Sequence, residues 1–488
     1  MAFCDVKTVG VVSAFGPTYP SCPPFHPDCC YPEYAYTETS SDPNPVYAAL
    51  RRLLLVMGLD AEHFGTPAWD PLGEFIRPGD RVVLKPNWVL DADTAAKPIE
   101  ALVTHGSIVR AVLDFVLVAL RGSGSIVIYD TPIMDANFGR IVGQSGAQTV
   151  IDYLASAQQV PIVMVDGRQR VVVAGRHGET LVDHRVIGDP VGYAEFDLGA
   201  DSLHVGLGAD WRRFDVGKGE LDIMRMAHND SHHRYLISRS VLEADVLINL
   251  PKIKTHVKAG VTGALKNIIG IVGDKSYLPH YRRGGSRRGG DEYEGLDVFM
   301  EVRDRVADFL RPKGKLAWQF GRAGWASLRR LAKAVSRTPG ASRYDAKSGS
   351  WPGNDTLWRT ILDVNRILFY GARNGTLQRT PQRHCLALAD GIICGEGCGP
   401  LSPDPIPGGF LLGSVNAVAL DVVAARLMGY DHRNLPAVMH AFDLVGACCL
   451  ASFKAEEIEV LGQLPQLPRA FVEPPGWKGH LLLPPSTN

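Results

Sequence analysis

The side chains best suited to chemistry lie in one segment, residues 249–274, which reads NLPKIKTHVKAGVTGALKNIIGIVGD. Its cationic residues are interspersed with glycines, and no acidic residue occurs before its last position. An apolar run typical of a buried strand leads into the segment, and its second half has the pattern of a helix. Glycine lets a backbone approach a ligand, and a helix start offers N–H groups and a positive dipole, so the segment predicts an anion site. Its key residues are Lys252, Lys254, His256, Lys258, Gly263, Lys266 and Asn267.

Lys266 is the first candidate for catalysis, because it is expected in the first turns of the helix that follows Gly263. A partly buried lysine near other cations has a lowered pKa, which suits a base, a Schiff-base former or a nucleophile. The alternative is a lysine that only neutralises a bound phosphate or carboxylate. The candidate partners in proton transfer are His256, His105 and Asp130.

Polar side chains also follow several apolar runs that are typical of buried strands. In an open parallel α/β sheet, ligands bind beyond the carboxyl ends of the strands, where these side chains would lie together. Asp and Asn also favour turns, which explains any one of them without a site, but the complete set favours a ligand pocket. The candidate ligand-binding residues are Lys85, Asn87, Asn249, Lys252, Lys254, Gly263, Asn267, Asp390 and Glu396.

Arg359 is a further candidate for binding an anionic substrate. Asp355, Arg359 and Asp363 repeat every four residues in a predicted helix over 356–370 and therefore form one stripe. The stripe is either a solvated ion-pair face or a face that holds Arg359 toward the site. The sequence favours neither interpretation.

The signals for metal binding are weaker. His228 and His232, four residues apart in HNDSHH, would meet on one helix face, although an exposed loop explains so short a motif better. Cys394 and Cys398 in ICGEGCGP form a single pair, which is weak evidence for a metal. A metal ion therefore stays an open expectation, and the sequence identifies no cofactor.

The composition is that of a globular protein with two or three domains: 488 residues, of which 45% are apolar and 21% charged. The net charge of −1 gives no basic field for nucleic acid. The apolar runs are too short to span a membrane, and the first residues lack the pattern of a signal peptide. Nine irregularly spaced cysteines do not look like a secreted disulfide framework. The expected location is the cytoplasm, and the oligomeric state is left open.

Strand-like and helix-like runs alternate at several places, which predicts an α/β fold with mostly parallel sheets flanked by helices. We expect two lobes, with a β-rich piece inserted in the first and a helical insertion at about 296–370 in the second. A glycine-rich turn is expected between strands at 384–390 and 409–413. The predicted parts are an irregular arm at 1–48, lobes at 49–240 and 241–462, and a Pro-rich tail at 463–488.

Three stretches resemble the domain-of-unknown-function 362 family: VVLKPNW ending at Trp88, INLPKIKTHVKAGVTGALKNIIGIVGD at 248–274, and DGIICGEGCGP with GSVNAVALDVVAARLMGYD between 390 and 431. Many members carry an added ferredoxin-like Fe–S segment. The cysteine run of such a segment is absent from this sequence, so no ferredoxin-type cluster is encoded. The stretch SWPGNDTLWRTILDVNR (350–366) resembles a subgroup associated with surface-polysaccharide gene clusters, which implies a role in polysaccharide metabolism.

A more distant resemblance is to the lactate-racemase-type fold, in which a lysine flanked by glycines anchors a nickel-pincer nucleotide and histidines transfer protons. The stretch TGALKNIIG (262–270) is similar to that lysine turn. The resemblance implies two α/β domains, with Lys266 at the anchor position and with His105 and His256 as acid/base groups. The flanking sequence departs from the family pattern, which puts the cofactor in doubt.

Three functions remain open. The first is an enzyme, isomerase/epimerase-like or a transferase, on a small anionic substrate such as a sugar phosphate, nucleotide sugar or carboxylate. The second is a metal- or Fe–S-linked redox protein, and the third is a non-catalytic module that binds a polyanion through Arg282–Arg288. The neighbouring loop at 276–292 is predicted to be either a lid over the anion or a disordered segment.

Overall fold

The computed structural model describes residues 3–14, 16–34, 36–92, 98–174, 180–217, 220–295 and 348–484, together with positions 302, 305, 306 and 309. Sixteen strands are seen in this part of the chain. In chain order they are β1 (Thr8–Ser13), β2 (Arg81–Pro86), β3 (Ser125–Asp130), β4 (Ile162–Asp166), β5 (Arg170–Ala174), β6 (Thr180–Arg185), β7 (Tyr193–Asp197), β8 (Phe214–Asp215), β9 (Arg234–Ser238), β10 (Val246–Leu250), β11 (Lys252–His256), β12 (Gly260–Thr262), β13 (Tyr281–Arg282), β14 (His384–Cys398), β15 (Ser402–Ser414) and β16 (Glu459–Gly462).

The same residues contain ten α-helices, besides several short 3₁₀ turns. In chain order the helices are α1 (Pro45–Val56), α2 (Gly106–Leu120), α3 (Phe138–Gln144), α4 (Ala147–Ala157), α5 (Leu221–Ala227), α6 (Arg239–Leu242), α7 (Ala264–Asn267), α8 (Leu357–Tyr370), α9 (Ala417–Leu427) and α10 (Pro436–Ala441). None of these helices is both long and apolar enough to cross a membrane.

Ten of the strands form one central sheet. Its strands lie in the order β16-β1-β15-β14-β10-β2-β3-β4, while β11 pairs with the far part of β14 and β12 pairs with β11. The neighbours from β14 through β10, β2 and β3 to β4 are all parallel. The hairpin of β14 and β15 adds an antiparallel pair next to them. Because the parallel strands point the same way, their carboxyl ends meet at one edge of the sheet.

Both faces of this sheet are covered, which explains why its central strands are apolar at consecutive positions. Val82 and Leu84 of β2 pack in one hydrophobic core with residues of α1, α2 and α4. Val83, which points to the opposite face, packs in a second core with residues of α7, α8 and α9. This alternation is the period of two that a strand imposes. The predicted α/β class, with a mostly parallel sheet flanked by helices, is confirmed.

Three two-stranded sheets lie outside the central one: β5 with β6, β7 with β9, and β8 with β13. Most of their strands lie between residues 170 and 238 and correspond to the predicted β-rich piece. Of the predicted helical insertion at about 296–370, α8 is described, whereas most of 296–347 lies outside the described residues.

One element boundary differs from the prediction, whereas the domain boundaries stay predictions. The stretch expected to be a glycine-rich turn after residue 390 continues β14 as far as Cys398 and returns as β15, paired from Ala387↔Ser414 to Cys398↔Ser402. Its glycines fit a strand because Gly391 and Gly395 lie against Phe410 and Pro403, where the missing side chain makes room. The predicted boundary between lobes, at residue 240, falls between strands that share the central sheet, since β2 pairs with β10.

Candidate functional site

The carboxyl ends of neighbouring strands bring several predicted residues to one edge of the sheet. Lys85 of β2 stands opposite Asn249 of β10 in the register of the two strands. Asp130 is the last residue of β3, and Asp390 lies in β14. All four side chains are buried. This is the edge at which open parallel sheets bind ligands.

Lys85 and Asp130 form a buried ion pair at this edge. Lys85 Nζ lies 2.8 Å from Asp130 Oδ1 and also donates to the carbonyl of Pro86. The carboxylate accepts further hydrogen bonds from the backbone N–H groups of Trp88 (2.6 Å) and Thr131 (2.7 Å). Burial lowers the pKa of Lys85, and the nearby Asp130 carboxylate opposes that shift. Asp130, a predicted catalytic residue, thus serves here as the counter-ion of Lys85.

Asn267 ties the helix that carries Lys266 to the two central strands. Its Nδ2 donates to Asn249 Oδ1 (2.8 Å) and to the carbonyl of Lys85 (3.1 Å). Its Oδ1 accepts from Asn87 Nδ2 (2.8 Å). The structure therefore brings together three of the predicted asparagines and Lys85 in one buried network. Satisfied buried networks fix the relative position of the elements they join.

A second ion pair lies farther along the same edge. Lys252 Nζ is 3.1 Å from Asp390 Oδ2, and both side chains are fully buried. The Tyr19 hydroxyl accepts from Lys252 (2.5 Å) and donates to Asp390 Oδ1 (2.6 Å). His105 stacks on the Tyr19 ring at 4.0 Å between centroids, and its Nδ1 accepts from the N–H of Ser107 at the start of α2.

This environment favours the neutral forms of His105 and Lys254. Burial lowers the pKa of His105 to about 3, with the charge of Lys252 adding to the shift. Burial, followed by the charge of Lys252, also lowers the pKa of Lys254, whose ammonium donates to the carbonyl of Leu102. His105, which was predicted as an acid/base group, therefore lies next to the Lys252–Asp390 pair. Its ring caps the N-terminus of α2.

A different group of cations, the open lysine cluster, consists of Lys258, Lys266, Lys275, His256 and His280. Its three lysines are partly exposed. Lys275 donates to the carbonyl and the hydroxyl of Thr131, and Lys258 lies 4.8 Å from the centre of the Tyr281 ring. The ammonium of Lys266 makes no hydrogen bond or ion pair with any residue that the structure describes.

The members of the open lysine cluster lie close enough to lower one another's pKa values. Burial and then the charges of Lys275 and Lys258 lower the pKa of Lys266 to about 7. Burial lowers the pKa of Lys258 and of Lys275 to about 8, although nearby carboxylates oppose the shift. The three lysines therefore lie close enough together for each ammonium to disfavour the charged form of another.

The two histidines of the cluster carry their protons on different ring nitrogens. His256 Nδ1 accepts from the N–H groups of Lys258 and Ala259, so the proton of the neutral ring is on Nε2. His280 Nδ1 lies 2.9 Å from the carbonyl of Leu278 and must donate to it, which leaves Nε2 as an acceptor. Burial, together with the neighbouring lysines, lowers the pKa of both rings.

The loop at 276–292 contributes directly to the cluster. It contains His280, and its Tyr281 is buried beside Lys258. Arg282 is also buried, and it pairs with Asp291 and Asp355. In this structure the loop therefore packs over the cluster, while its opening as a lid stays a prediction.

The first two N–H groups of α7 are not available to an anion, contrary to the prediction. Asp421 of α9 accepts from the N–H groups of Ala264 (2.6 Å) and Leu265 (3.0 Å). Gly263 is needed because a Cβ at this position would overlap the Asp421 carboxylate. Burial raises the pKa of Asp421 to about 7. Gly263 thus makes room for a protein carboxylate, and the cations, not the helix start, are left for a ligand.

Two other predicted ligand-binding residues are engaged elsewhere. Arg359 donates to Asp355, which lies two residues before α8 (3.0 and 3.1 Å), and to the carbonyl of Leu203, so it is engaged away from the lysines. Glu396 pairs with Arg469 at 2.5 and 2.7 Å and accepts from the N–H of Val472. The spacing of four residues indicated Asp355 as a partner of Arg359, whereas no local pattern indicated Arg469 as the partner of Glu396.

The predicted metal ligands do not converge. His228 lies against His233, with 3.3 Å between their Nδ1 atoms, whereas His232 pairs with Asp197 at 2.6 Å. Cys394 is buried and Cys398 exposed in one extended strand, where four residues span roughly 13 Å. Among the described residues, no group of three or more His, Cys, Asp or Glu side chains is arranged to hold a metal ion.

Sequence reasoning missed several residues of this edge. Lys275 follows the lysine segment directly and would have been found by extending it by one position. Asp421 and Tyr19 gave no local signal, because each reaches its partner from a distant part of the chain.

The chain is similar to two solved structures at a low level. A protein from Thermotoga maritima is 10% identical, with a TM-score of 0.32, and the match covers 81% of this chain and 59% of that one. The lactate racemase apoprotein from Thermoanaerobacterium thermosaccharolyticum is 11% identical, with a TM-score of 0.25, over 77% of this chain and 54% of that one.

Among curated proteins, the thylakoid-associated protein sll1697 of Synechocystis sp. is 25% identical over 204 residues. The match spans 42% of this chain and 43% of that relative, so less than half of either protein is compared. Residues 195–426 of the chain match the model of the family described as Domain of unknown function (DUF362), which confirms the family resemblance predicted from the sequence.

Proposed function

We propose that the protein is an enzyme that binds a small anion in the open lysine cluster and transfers a proton with Lys266 and the two cluster histidines. The proposal rests on one observation: the ammonium of Lys266 lies near Lys258 and Lys275 and has no counter-ion in the described structure. A buried ammonium that lacks a paired carboxylate costs folding free energy. A bound carboxylate or phosphate would remove this cost through charge-assisted hydrogen bonds.

The lowered pKa of Lys266, about 7, gives the site a second property. Near neutral pH a substantial fraction of this lysine is uncharged and can accept a proton, which is the state that a general base requires. An anion bound beside it raises the pKa again and converts it into an acid. Binding of the substrate would therefore change the protonation of the group that acts on it.

The histidines supply complementary proton positions. His256 presents Nε2–H as a donor and His280 presents Nε2 as an acceptor, as their Nδ1 hydrogen bonds require. A donor and an acceptor imidazole in one cluster suit a reaction in which a proton is removed from one position and returned at another. This favours isomerase- or epimerase-type chemistry over group transfer. Suitable substrates are hydroxylated carboxylates or sugar phosphates, including those of polysaccharide metabolism.

Anion binding can be tested by calorimetric titration with inorganic phosphate and with malonate. Replacing Lys266 by Met keeps most of the side-chain volume and removes the charge, so we expect at least tenfold weaker binding. Arg359→Ala is the matched control, because Arg359 is already paired with Asp355 and the variant should bind normally. Wild-type binding should weaken as the pH rises from 7 to 9, because the lysines lose their charge. Unchanged affinity of the Lys266→Met protein would contradict the proposed site.

Proton transfer is tested separately in D₂O. Candidate hydroxy acids and sugar phosphates are incubated with the enzyme, and incorporation of deuterium at carbon is followed by NMR. We expect incorporation with wild-type protein, loss with Lys266→Met and with His280→Gln, and normal rates with Arg359→Ala. A protein that binds anions but exchanges no carbon-bound proton in any candidate would be a binding module.

A further inference from the structure

Three cysteines gather at a position that lies outside the lysine cluster. Cys4 and the adjacent pair Cys448 and Cys449 lie around the end of α8, where the hydroxyl of Tyr370 donates to the carbonyl of Cys449 at 2.7 Å. The Cys449 thiol lies near enough to the Cys4 thiol to raise its pKa, and both thiols lie near the Tyr370 hydroxyl. The Cys448 thiol points elsewhere and donates to the carbonyl of Gln378.

The two chain segments that carry Cys4 and Cys449 are held side by side by the backbone. Both the N–H and the hydroxyl of Ser452 donate to the carbonyl of Cys4, at 2.9 and 3.0 Å. Asn416 Nδ2 joins the same segments by donating to the carbonyls of Phe3 (3.2 Å) and Leu450 (2.9 Å). The backbone therefore holds the two cysteines on neighbouring segments of the chain.

The accessibility of these thiols distinguishes them from others in the chain. Cys4, Cys448 and Cys449 are partly exposed, whereas Cys394 is buried inside the β14–β15 hairpin. Cys29 and Cys30 are exposed and adjacent in sequence. Cys4 and Cys449 thus combine access for an oxidant with a partner from a distant part of the chain.

We propose that Cys4 and Cys449 form a reversible disulfide that fastens the segment before β1 to the segment after α10. The oxidant is a small-molecule disulfide such as oxidised glutathione. The thiolate of one cysteine attacks this disulfide, which forms a mixed disulfide and releases one glutathione thiolate. The second cysteine then displaces the other glutathione, so two protein thiols become one disulfide and two glutathione thiols form.

The surroundings favour a stable link over a catalytic thiol. Burial, together with Cys449 and Asp5, raises the pKa of Cys4 to about 11, so the reduced form is not stabilised as a thiolate. A low thiolate content slows exchange, and it also makes the disulfide harder to reduce than that of an oxidoreductase. The link would close a ring of most of the chain and would strengthen the contact of β1 with the last strands.

The full-length protein is incubated with oxidised glutathione and compared with the reduced protein by intact mass and by peptide mapping without reductant. We expect loss of two hydrogens, a peptide linked through Cys4 and Cys449, and a rise in Tm of roughly 5 °C that dithiothreitol reverses. Cys4→Ser should abolish the linked peptide and the rise in Tm. Cys29→Ser, the control at an exposed cysteine, and Cys448→Ser should retain both.

The mapping of wild-type protein decides the proposal even if a variant folds poorly. Glutathione adducts that persist on Cys4 or Cys449 without a link between them would overturn it. The same holds for a link restricted to Cys29–Cys30 or to Cys448–Cys449, and for a Cys4–Cys449 link that leaves Tm unchanged in the wild-type protein.

Discussion

The lysines of the sheet edge fall into two groups that differ in what surrounds the ammonium. Lys85 and Lys252 are fully buried, and each faces an aspartate at about hydrogen-bond distance. Lys258 and Lys266 are partly exposed and lie among other cations. The first group behaves as part of the core, because its charges are neutralised inside the protein. In the second group, the Lys266 ammonium has no counter-ion among the described residues, and we propose that a bound anion supplies one.

The comparison shows that lysines that are close together in the sequence do not all lie together in the folded protein. Lys252 and Lys254 lie two residues apart in β11 and thus on one side of the strand. There Lys252 pairs with Asp390, and Lys254 donates to the carbonyl of Leu102. Lys258 follows in the turn after β11, and Lys266 lies in α7. Positions only a few residues apart therefore divide between a structural role and a proposed ligand-binding role.

The largest expected effect comes from breaking a paired lysine. Lys252→Met leaves the Asp390 carboxylate buried without its cation, which should lower the free energy of unfolding by about 3–5 kcal/mol. The measurement is urea denaturation followed by circular dichroism. The double variant Lys252→Met with Asp390→Asn should recover part of the loss, because no unpaired charge remains. A loss below about 1 kcal/mol in the single variant would show that the pair is not part of the core.

A smaller loss is expected from Gly270→Ala, which tests the Lys85–Asp130 pair without removing a charge. The added methyl carbon would lie 2.6 Å from Lys85 Nζ and also overlap Asp130 Oδ1, so the pair must shift. Overpacking of this kind costs about 1–3 kcal/mol. Gly143→Ala is the matched control, since no atom lies within 4 Å of the added carbon and the helix α3 should tolerate it. Equal stability of the two variants would contradict the tight contact.

The smallest effect concerns the pH dependence of the free energy of unfolding, which tests the open lysine cluster. The pKa of Lys266 is about 7 in the folded protein and 10.5 in the unfolded chain, so the unfolded chain binds more protons between these values. The free energy of unfolding should therefore rise with pH above 7, by up to about 1.4 kcal/mol per pH unit for this group. In Lys266→Met the slope should decrease, whereas Lys478→Met, at an exposed position, should leave it unchanged. Urea denaturation at pH 7, 8 and 9 measures the slope.

Much of the fold could be predicted because its signals are local. Apolar runs such as Val82–Leu84 and the helix pattern of 357–370 locate elements in the structure to within a residue or two. The hairpin of β14 and β15 was missed because its glycines were taken as a turn signal. Their role is steric and depends on Phe410 and Pro403 across the hairpin, which the local sequence does not reveal.

For the site, the sequence indicated which residue types meet at the sheet edge, but not how they pair. Asp130 follows an apolar strand and was taken for a base, yet its oxygens accept from Lys85 and two backbone N–H groups. Asp421 occupies the start of α7 from a helix more than 150 residues later in the chain. Contacts between residues so far apart in sequence depend on the tertiary structure, and the spacing of residues in the sequence cannot predict them.

The place of β1 in the sheet has a consequence for biosynthesis. Residues 10–13 of this strand pair with residues 410–413 of β15, and its other edge is covered by β16. A ribosome adds roughly 5–20 residues per second, so β1 emerges on the order of 20–80 s before its partners exist. During that interval it is an unpaired apolar strand of the nascent chain, the kind of segment that chaperones protect from aggregation. Closure of the sheet by β1 must therefore wait until β15 has been synthesised.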